Sequence, residues 1–435
     1  MSTELQTTSG SPVALDSTGR SVARVILKPR KALPFYGRHP WVLAGAVERV
    51  EPLAPAGEQV DPDGQVVDLC NERGKFIARG FYNAKSRIRV RLFTWDENEL
   101  LDGEFFRRRL RAAIGLRREI GYEVGLGQGT TELRETELRG ESAVRLVFSE
   151  ADGLSGLVVD RYGDYLVVQP TSLAIQQRVD LLVEILQQEL QPRGILVRGE
   201  KQTAQLEGME LSPDRHIGEL PATPLLIREN GIAFEVDLRE GQKTGFYLDQ
   251  RENRLAVTRY LRGRRLLDLF CYTGGFALNA ARNGAAEVIG IDGSKRAIAQ
   301  AQRNAELNGL NVRFEVGDGF QTLDRLAEQG EKFDAIVLDP PKFARSRSGV
   351  NAALQAYHRL NRSAVALLPP GGILVTCSCS GTVTPEDFRL MLSGVAQKTG
   401  REIQILEQRG AAPDHPVAAT CLETEYLKCF VCRVV

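Results

Sequence analysis

The chain has 435 residues, 43% of them hydrophobic, and its 56 Lys and Arg balance 56 Asp and Glu. That length exceeds one ordinary core and points to two or three domains, while the balanced charge excludes a uniformly basic nucleic-acid binder and leaves any basic surface local. No apolar run reaches the roughly 18 to 20 residues of a bilayer span, and seven cysteines spread unevenly through so long a chain argue against a disulfide framework, so a cytoplasmic protein is expected.

Residues 1–21 are rich in Ser and Thr with few large apolar groups, which predicts a flexible tail. From Val22 to position 96, short runs ("ARVILKP", "QVVDLC", "KFIARGFY", "SRIRVRLF") alternate with Pro and Gly turns, the pattern of a small β-rich domain. Between Ser17 and Val47 lie Arg20, Arg24, Lys28, Arg30, Lys31 and Arg38 with no acid, and "SRIRVRL" read as a strand puts Arg87, Arg89 and Arg91 on one face. A solvated face gives the same pattern as a phosphate-binding one; the second reading gains weight beside a domain that modifies nucleic acid.

Residues 97–223 begin with a charged helix, "ENELLDGEFFRRRLRAAIGLRREIG". They continue as a hairpin, "GLVVDRYGDYLVVQ", an amphipathic helix, "SLAIQQRVDLLVEILQQEL", the strand "GILVRGE" and a further strand near Met209. From 224 to 435, buried-strand runs such as "FDAIVLD" and "GGILVTCSC" alternate with helical stretches, which predicts a doubly wound α/β domain with a mostly parallel sheet.

That domain opens on "LLDLFCYTGGFALNAA", a glycine turn between strand and helix. Dinucleotide sites need G-x-G-x-x-G and P-loops need G-K-[ST], and neither is present. Instead Asp268 lies in the strand, and Phe270, Tyr272, Thr273, Gly274 and Gly275 form the corner. An acid there disfavours a pyrophosphate and suits a cation; S-adenosylmethionine carries a sulfonium and an ammonium and no phosphate. Asp292 after "EVIGI" is placed to accept ribose hydroxyls, and Asp318 in "EVGDGF" to meet adenine, although either acid can equally serve as a helix N-cap.

The fourth strand ends in Asp339-Pro340-Pro341-Lys342-Phe343, an acid-Pro-Pro-aromatic motif like that of base-modifying methyltransferases, offering a hydrogen-bonding acid and a stacking ring to an extruded base. The next strand runs into Cys377 and Cys379. A thiol is superfluous for an amino nitrogen but needed at pyrimidine C5, where addition to C6 makes C5 nucleophilic. Residues two apart share a strand face, so alternation leaves both thiols open; Cys379 is nearer the strand's C-terminal end. Cys429 and Cys432 form C-x-x-C in a strand-like run with no second pair and are not read as metal ligands, and His415 in "PDHPV" is read as a loop histidine.

In "RHPWVLAGAV", "KTGFYLDQR", "YTGGFA", "DPPKF", "SCSG" and "DHPV" the chain resembles the RlmI family, S-adenosylmethionine-dependent methyltransferases of cytosine C5 in large-subunit (23S) ribosomal RNA. The resemblance implies an N-terminal PUA domain for RNA, a central domain of strand-strand-helix-strand-strand order and a C-terminal catalytic domain. It puts the nucleophile on Cys379, the base-binding acid on Asp339, the cofactor loop on Tyr272 to Gly275, and Tyr247 and Gln250 near the cofactor. Arg38, Arg87, Arg89, Arg91, Lys342 and Phe343 become the RNA-facing set, and a homodimer is compatible with it. The rivals are a guanine N-methyltransferase of the same RNA, a non-catalytic RNA-binding protein and an NAD-dependent dehydrogenase.

Overall fold

The computed structural model describes residues 18–53, 61–124, 142–211, 213–221, 223–238, 245–344 and 347–435. The stretch read as a tail lies outside them up to residue 17. Packing begins just after, where the Leu101 N–H donates to the Gly19 carbonyl at 3.1 Å.

The N-terminal sheet comprises β1 (Ala23–Leu27), β2 (Trp41–Leu43), β3 (Val47–Pro52), β4 (Val66–Cys70), β5 (Phe76–Tyr82) and β6 (Ile88–Thr94), in the order β2-β6-β5-β4-β1-β3. Alternating residues such as Val25, Leu27, Val67, Leu69, Val90 and Leu92 pack into one core with Phe35.

In this sheet the arginine reading needs correction. Val42 of β2 faces Val90 and Leu43 faces Ile88, so Arg89 is the extra residue of a bulge, and a bulge breaks the two-residue alternation. Arg87 is exposed ahead of the strand. Arg89 is half-buried and donates to the Asn83 carbonyl at 3.2 Å. Arg91 is buried, ion-paired to Glu150 at 3.0 Å and Glu207 at 2.8 Å with its guanidinium over Trp41. It ties this domain to the next and leaves the RNA-facing set. Arg20, Arg24, Lys28, Arg30, Lys31 and Arg38 are all exposed.

The central domain starts with the helix Gly103–Glu119, whose N-cap Asp102 accepts from the Phe105 N–H at 2.9 Å. Its sheet, β7 (Ala143–Phe148), β8 (Leu157–Tyr162), β9 (Tyr165–Pro170), β10 (Gly194–Val197) and β11 (Arg215–Gly218), runs in the order β11-β10-β9-β8-β7. The hairpin β8–β9 is as expected. The expected amphipathic helix is split into Leu173–Gln177 and Val179–Leu190 at Arg178, which donates to the Gly64 carbonyl at 2.9 Å and covers Phe81. Met209 lies in no strand: the helix Lys201–Glu207 ends at Gly208 in the left-handed region, and the edge strand comes later, at Arg215.

The hairpin β12 (Leu225–Glu229) and β13 (Ile232–Val236) leads into a seven-stranded sheet: β14 (Arg265–Leu269), β15 (Glu287–Asp292), β16 (Arg313–Val316), β17 (Ala335–Leu338), β18 (Gly372–Ser378), β19 (Ile403–Arg409) and β20 (Lys428–Val434). Its order is β16-β15-β14-β17-β18-β20-β19, with β14 to β18 mutually parallel and β20 antiparallel between β18 and β19. Leu266, Val288 and Val375 enter one core, and Leu267, Ile289 and Leu374 the other, as a sheet covered on both faces requires. Cys429 and Cys432 likewise belong to opposite faces. The chain reverses its winding between β14 and β17, which opens a crevice at the C-terminal strand ends. Among the described residues no helix is long and apolar enough to cross a membrane.

Candidate active site

The corner after β14 is built from backbone that few residues adopt: Phe270, Tyr272 and Gly274 have φ of +64°, +50° and +89°. Gly274 caps the helix Gly275–Arg282, and a Cβ there would lie 2.9 Å from the Phe314 ring, so glycine is required. Behind the corner, fully buried Asp268 accepts the Ala277 N–H on Oδ2 at 3.0 Å. An internal carboxylate thus takes a helix-start donor that a phosphate would use. Asp268 Oδ1 is buried with no hydrogen-bond partner among the described residues. Burial, reinforced by the charges of Asp339 and Asp292 and opposed by the Ala277 N–H, pushes this carboxyl well above the usual carboxylate range.

In front of the corner lies a cavity of about 600 Å³. Tyr247, Gln250, Phe270, Tyr272, Thr273, Gly275, Asp292, Asp318, Asp339, Lys342 and Cys379 all line it, whereas Asp268 and Gly274 are not among its lining residues. Asp292 accepts the Tyr272 N–H at 3.0 Å and the Ser294 N–H at 2.8 Å on separate oxygens. Asp318 caps the helix Gly319–Glu328, its Oδ1 accepting from Phe320 and Gln321, each at 3.0 Å. Capping and cavity lining therefore coexist in one side chain. Tyr247 meets Tyr272 edge-on at 5.2 Å between ring centres, and Arg254, ion-paired to Glu229 at 2.5 Å, donates to the Tyr247 carbonyl.

Gln250 turns from the corner toward the acid-Pro-Pro loop: its Nε2 donates to Asp339 Oδ1 at 3.1 Å, and its Oε1 accepts from Asn253 at 2.6 Å. The structure also separates the thiols that alternation could not. Cys377 is fully buried inside β18, opposite Cys429, and burial pushes its thiol well above the ordinary value. Cys379 lies past the strand end on the cavity wall. The next residue is held from three sides: Ser380 Oγ accepts the Ala344 N–H and meets the Tyr357 hydroxyl, both at 3.2 Å, and its carbonyl accepts from Lys428 at 2.7 Å.

Phe343, expected to stack on a base, is not part of the cavity wall. After the two prolines the chain turns inward, and its ring packs on Tyr357 at 4.8 Å and on Phe320 at 6.2 Å. That is a correction: the motif's aromatic serves the core, and its exposed members are Pro341 and Lys342.

Sequence reasoning missed Asp249, Arg254 and Tyr426, all on the cavity wall, with the Tyr426 hydroxyl donating to Asp249 at 2.5 Å. For Tyr426 the signal was the pairing of β20 with β18, which brings the residues before Lys428 to the end of β18. His415, read as a loop histidine, is buried and hydrogen-bonded to Asp414 at 2.8 Å. Asp414 in turn accepts the Arg145 N–H at 3.0 Å and pairs with Arg251 at 3.4 Å, so "DHPV" pins the catalytic domain to the central one. His39, Cys421 and Glu423 also meet across a domain boundary. The Trp41 N–H donates to His39 Nδ1 at 3.2 Å, which leaves the ring proton on Nε2, facing Glu423 at 3.4 Å. That is a hydrogen-bonded contact rather than a metal-ligand set.

Strand order, a glycine corner backed by a buried acid and a cavity at the C-terminal strand ends are those of an S-adenosylmethionine-dependent methyltransferase, and the six-stranded sheet before it is that of a PUA-like domain. Family models with those descriptions match residues 209–425 and 25–95. The chain belongs to the ribosomal RNA large subunit methyltransferase I family. It is 39% identical over 414 residues to the protein of that name from Klebsiella pneumoniae (strain 342), covering 94% of this chain and 98% of the relative. Relatives of the same name from Enterobacter sp. (strain 638) and Escherichia coli O127:H6 are also 39% identical, each over 94% of this chain and 99% of the relative. The fold is shared with SMU.776, a methyltransferase solved with SAH, at a TM-score of 0.78 and 21% identity over 94% of this chain and 99% of that one. A methyltransferase from Streptococcus mutans gives a TM-score of 0.77 at the same identity and coverage.

The cofactor is S-adenosylmethionine, and the cavity's chemistry fits it. The carboxylates of Asp292 and Asp318 and the rings of Tyr247, Phe270 and Tyr272 face the space, and the buried Asp268 Oδ1 lies behind it. Arg254, a wall cation beside the corner, is neutralised by Glu229.

Proposed function

We propose that this protein methylates C5 of a cytosine in large-subunit ribosomal RNA through a covalent adduct between Cys379 and C6 of the base. The observation that carries the reading is that Cys379, unlike Cys377, lines the same cavity as Asp339. An N-methyltransferase has no use for a thiol there.

In this reading Asp292 and Asp318 hold the ribose and adenine of the cofactor, and Tyr247, Phe270 and Tyr272 enclose it. S-adenosylmethionine supplies an electrophilic methyl group. The Cys379 thiolate adds to C6, and the C5–C6 electron pair moves into the ring, where Asp339, as the neutral acid, donates a hydrogen bond to N3 as charge builds there. C5, now enamine-like, takes the methyl group. Loss of the C5 proton then restores the double bond and expels the thiolate. Gln250 fixes the orientation of Asp339. Lys342, exposed on the cavity wall, and the basic stretch Arg20 to Arg38 contact RNA phosphates, and the work is done in the cytoplasm.

Bisulfite sequencing of ribosomal RNA from cells with and without the gene tests this. One 5-methylcytidine in large-subunit RNA disappears with the gene. A lost guanine methyl group with all 5-methylcytidines intact would favour the nitrogen rival.

A further inference from the structure

Lys428 opens β20 opposite Ser378, the last residue of β18, and is 1% exposed. Its Nζ donates to the Ser380 carbonyl at 2.7 Å and the Tyr426 carbonyl at 2.8 Å. The ammonium is thereby clamped to the residue after Cys379 and to a residue of the cavity wall. Both described acceptors are neutral, and they use two of its three N–H donors. A buried cation whose bonded neighbours carry no charge is costly and calls for an anion nearby.

Cys379 is the foremost of the charges that act on it. Burial lowers the Lys428 ammonium to about 8, and against that act a thiolate on Cys379, then Glu425, with Asp387 weaker, while Lys342 opposes the charge. On the sulfur's side, Tyr247, Tyr357 and Tyr426 share its surroundings, and Asp339 and Asp249 line the same cavity against a negative sulfur. On the cationic side stand Lys428 and, on the cavity wall, Lys342 and Arg254, the last paired to Glu229.

We propose that Lys428 is a positioning residue whose fixed ammonium supplies the counter-charge for a Cys379 thiolate, so that the sulfur stands ready before RNA binds. The thiol proton leaves to water in the cavity, and no other group changes its charge. The proposal rests on the proposed attack by Cys379 for its purpose, but its test does not.

The test is the pH dependence of Cys379 alkylation by iodoacetamide in the full chain, followed on the Cys379 peptide by mass spectrometry. In the unaltered protein the half-point lies at least about one pH unit below the ordinary thiol value of about 8.5. Lys428→Met raises it by about one unit or more, leaving roughly tenfold less thiolate at pH 7, and Lys428→Arg, which keeps the charge, recovers most of the loss. An ordinary half-point in the unaltered protein overturns the proposal with no variant needed. So does an unchanged half-point in a folded Lys428→Met chain. Should Cys379→Ala still methylate cytosine, the attacking role falls while the titration still reports on Lys428.

Discussion

Gln250 donates its amide to Oδ1 of Asp339 at 3.1 Å, and its own carbonyl is held by Asn253 at 2.6 Å. The residue expected near the cofactor is thus hydrogen-bonded to Asp339, the acid proposed to bind the base. Gln250→Leu removes the donor that orients Asp339, while the Asn253 amide keeps its bond to the Gly410 carbonyl at 2.9 Å, and the lost hydrogen bond should cost about 2 kcal/mol, or roughly 30-fold in kcat. Cofactor affinity should change little. Steady-state kinetics beside calorimetry checks the split, and equal losses in both would return Gln250 to the cofactor.

Asp292 satisfies two backbone N–H groups and still lines the cavity. Asp292→Ala should weaken S-adenosylmethionine binding by about 1–3 kcal/mol, with Asp292→Asn, which keeps one acceptor, falling between. Calorimetry on the full chain decides; equal affinities in all three proteins would remove Asp292 from the cofactor site.

Asp268 provides a pH signature. Its carboxyl is raised in the folded protein, foremost by burial, whereas in the unfolded chain it ionises near about 3.9. Above that pH the unfolded state has released a proton that the folded state still holds. Stability from this group is therefore complete below about pH 4 and falls as pH rises through the folded value. Asp268→Asn keeps an acceptor for Ala277 and has no proton to lose, so the variant should gain on the unaltered protein in melting temperature as pH is raised from 5 to 8. Parallel melting curves across that range would show that Asp268 is already ionised.

Individual elements were legible where periodicity is local. The hairpin β8–β9, the both-sides-buried strands β14, β17 and β18 and the glycine corner all follow from runs of a few residues. What escaped depends on pairing between distant segments. The bulge at Arg89 is set by its partner strand β2, and the ion pairs of Arg91 are set by Glu150 and Glu207 of the central domain, which lie 59 and 116 residues further along the chain. The place of Tyr426 and Lys428 beside Cys379 is set by β20 inserting next to β18, 50 residues apart at the Ser378–Lys428 pair. Phe343 was misread because the motif specifies an aromatic but not the direction in which two prolines turn it.

The arginines give a paired test. Alanine at Arg24, Arg30, Lys31 and Arg38 together should weaken RNA binding and lower its log-log salt slope by roughly 0.7–0.9 for each phosphate that is no longer neutralised. Arg91→Ala should leave that slope alone and instead strand two buried carboxylates, at about 3–5 kcal/mol of stability. Binding titrations at several salt concentrations and thermal melts separate the two. A slope change in Arg91→Ala with no loss of stability would restore it to the RNA face.

The most direct measurement uses RNA with 5-fluorocytidine at the target position. Fluorine leaves no removable C5 proton after methyl transfer, so the thioether between Cys379 and C6 should persist and run as an RNA-linked protein on a denaturing gel. The account predicts that adduct for the unaltered protein and for Cys377→Ala, and neither adduct nor methylation for Cys379→Ala. Full methylation by Cys379→Ala, or an adduct lost only in Cys377→Ala, would contradict it.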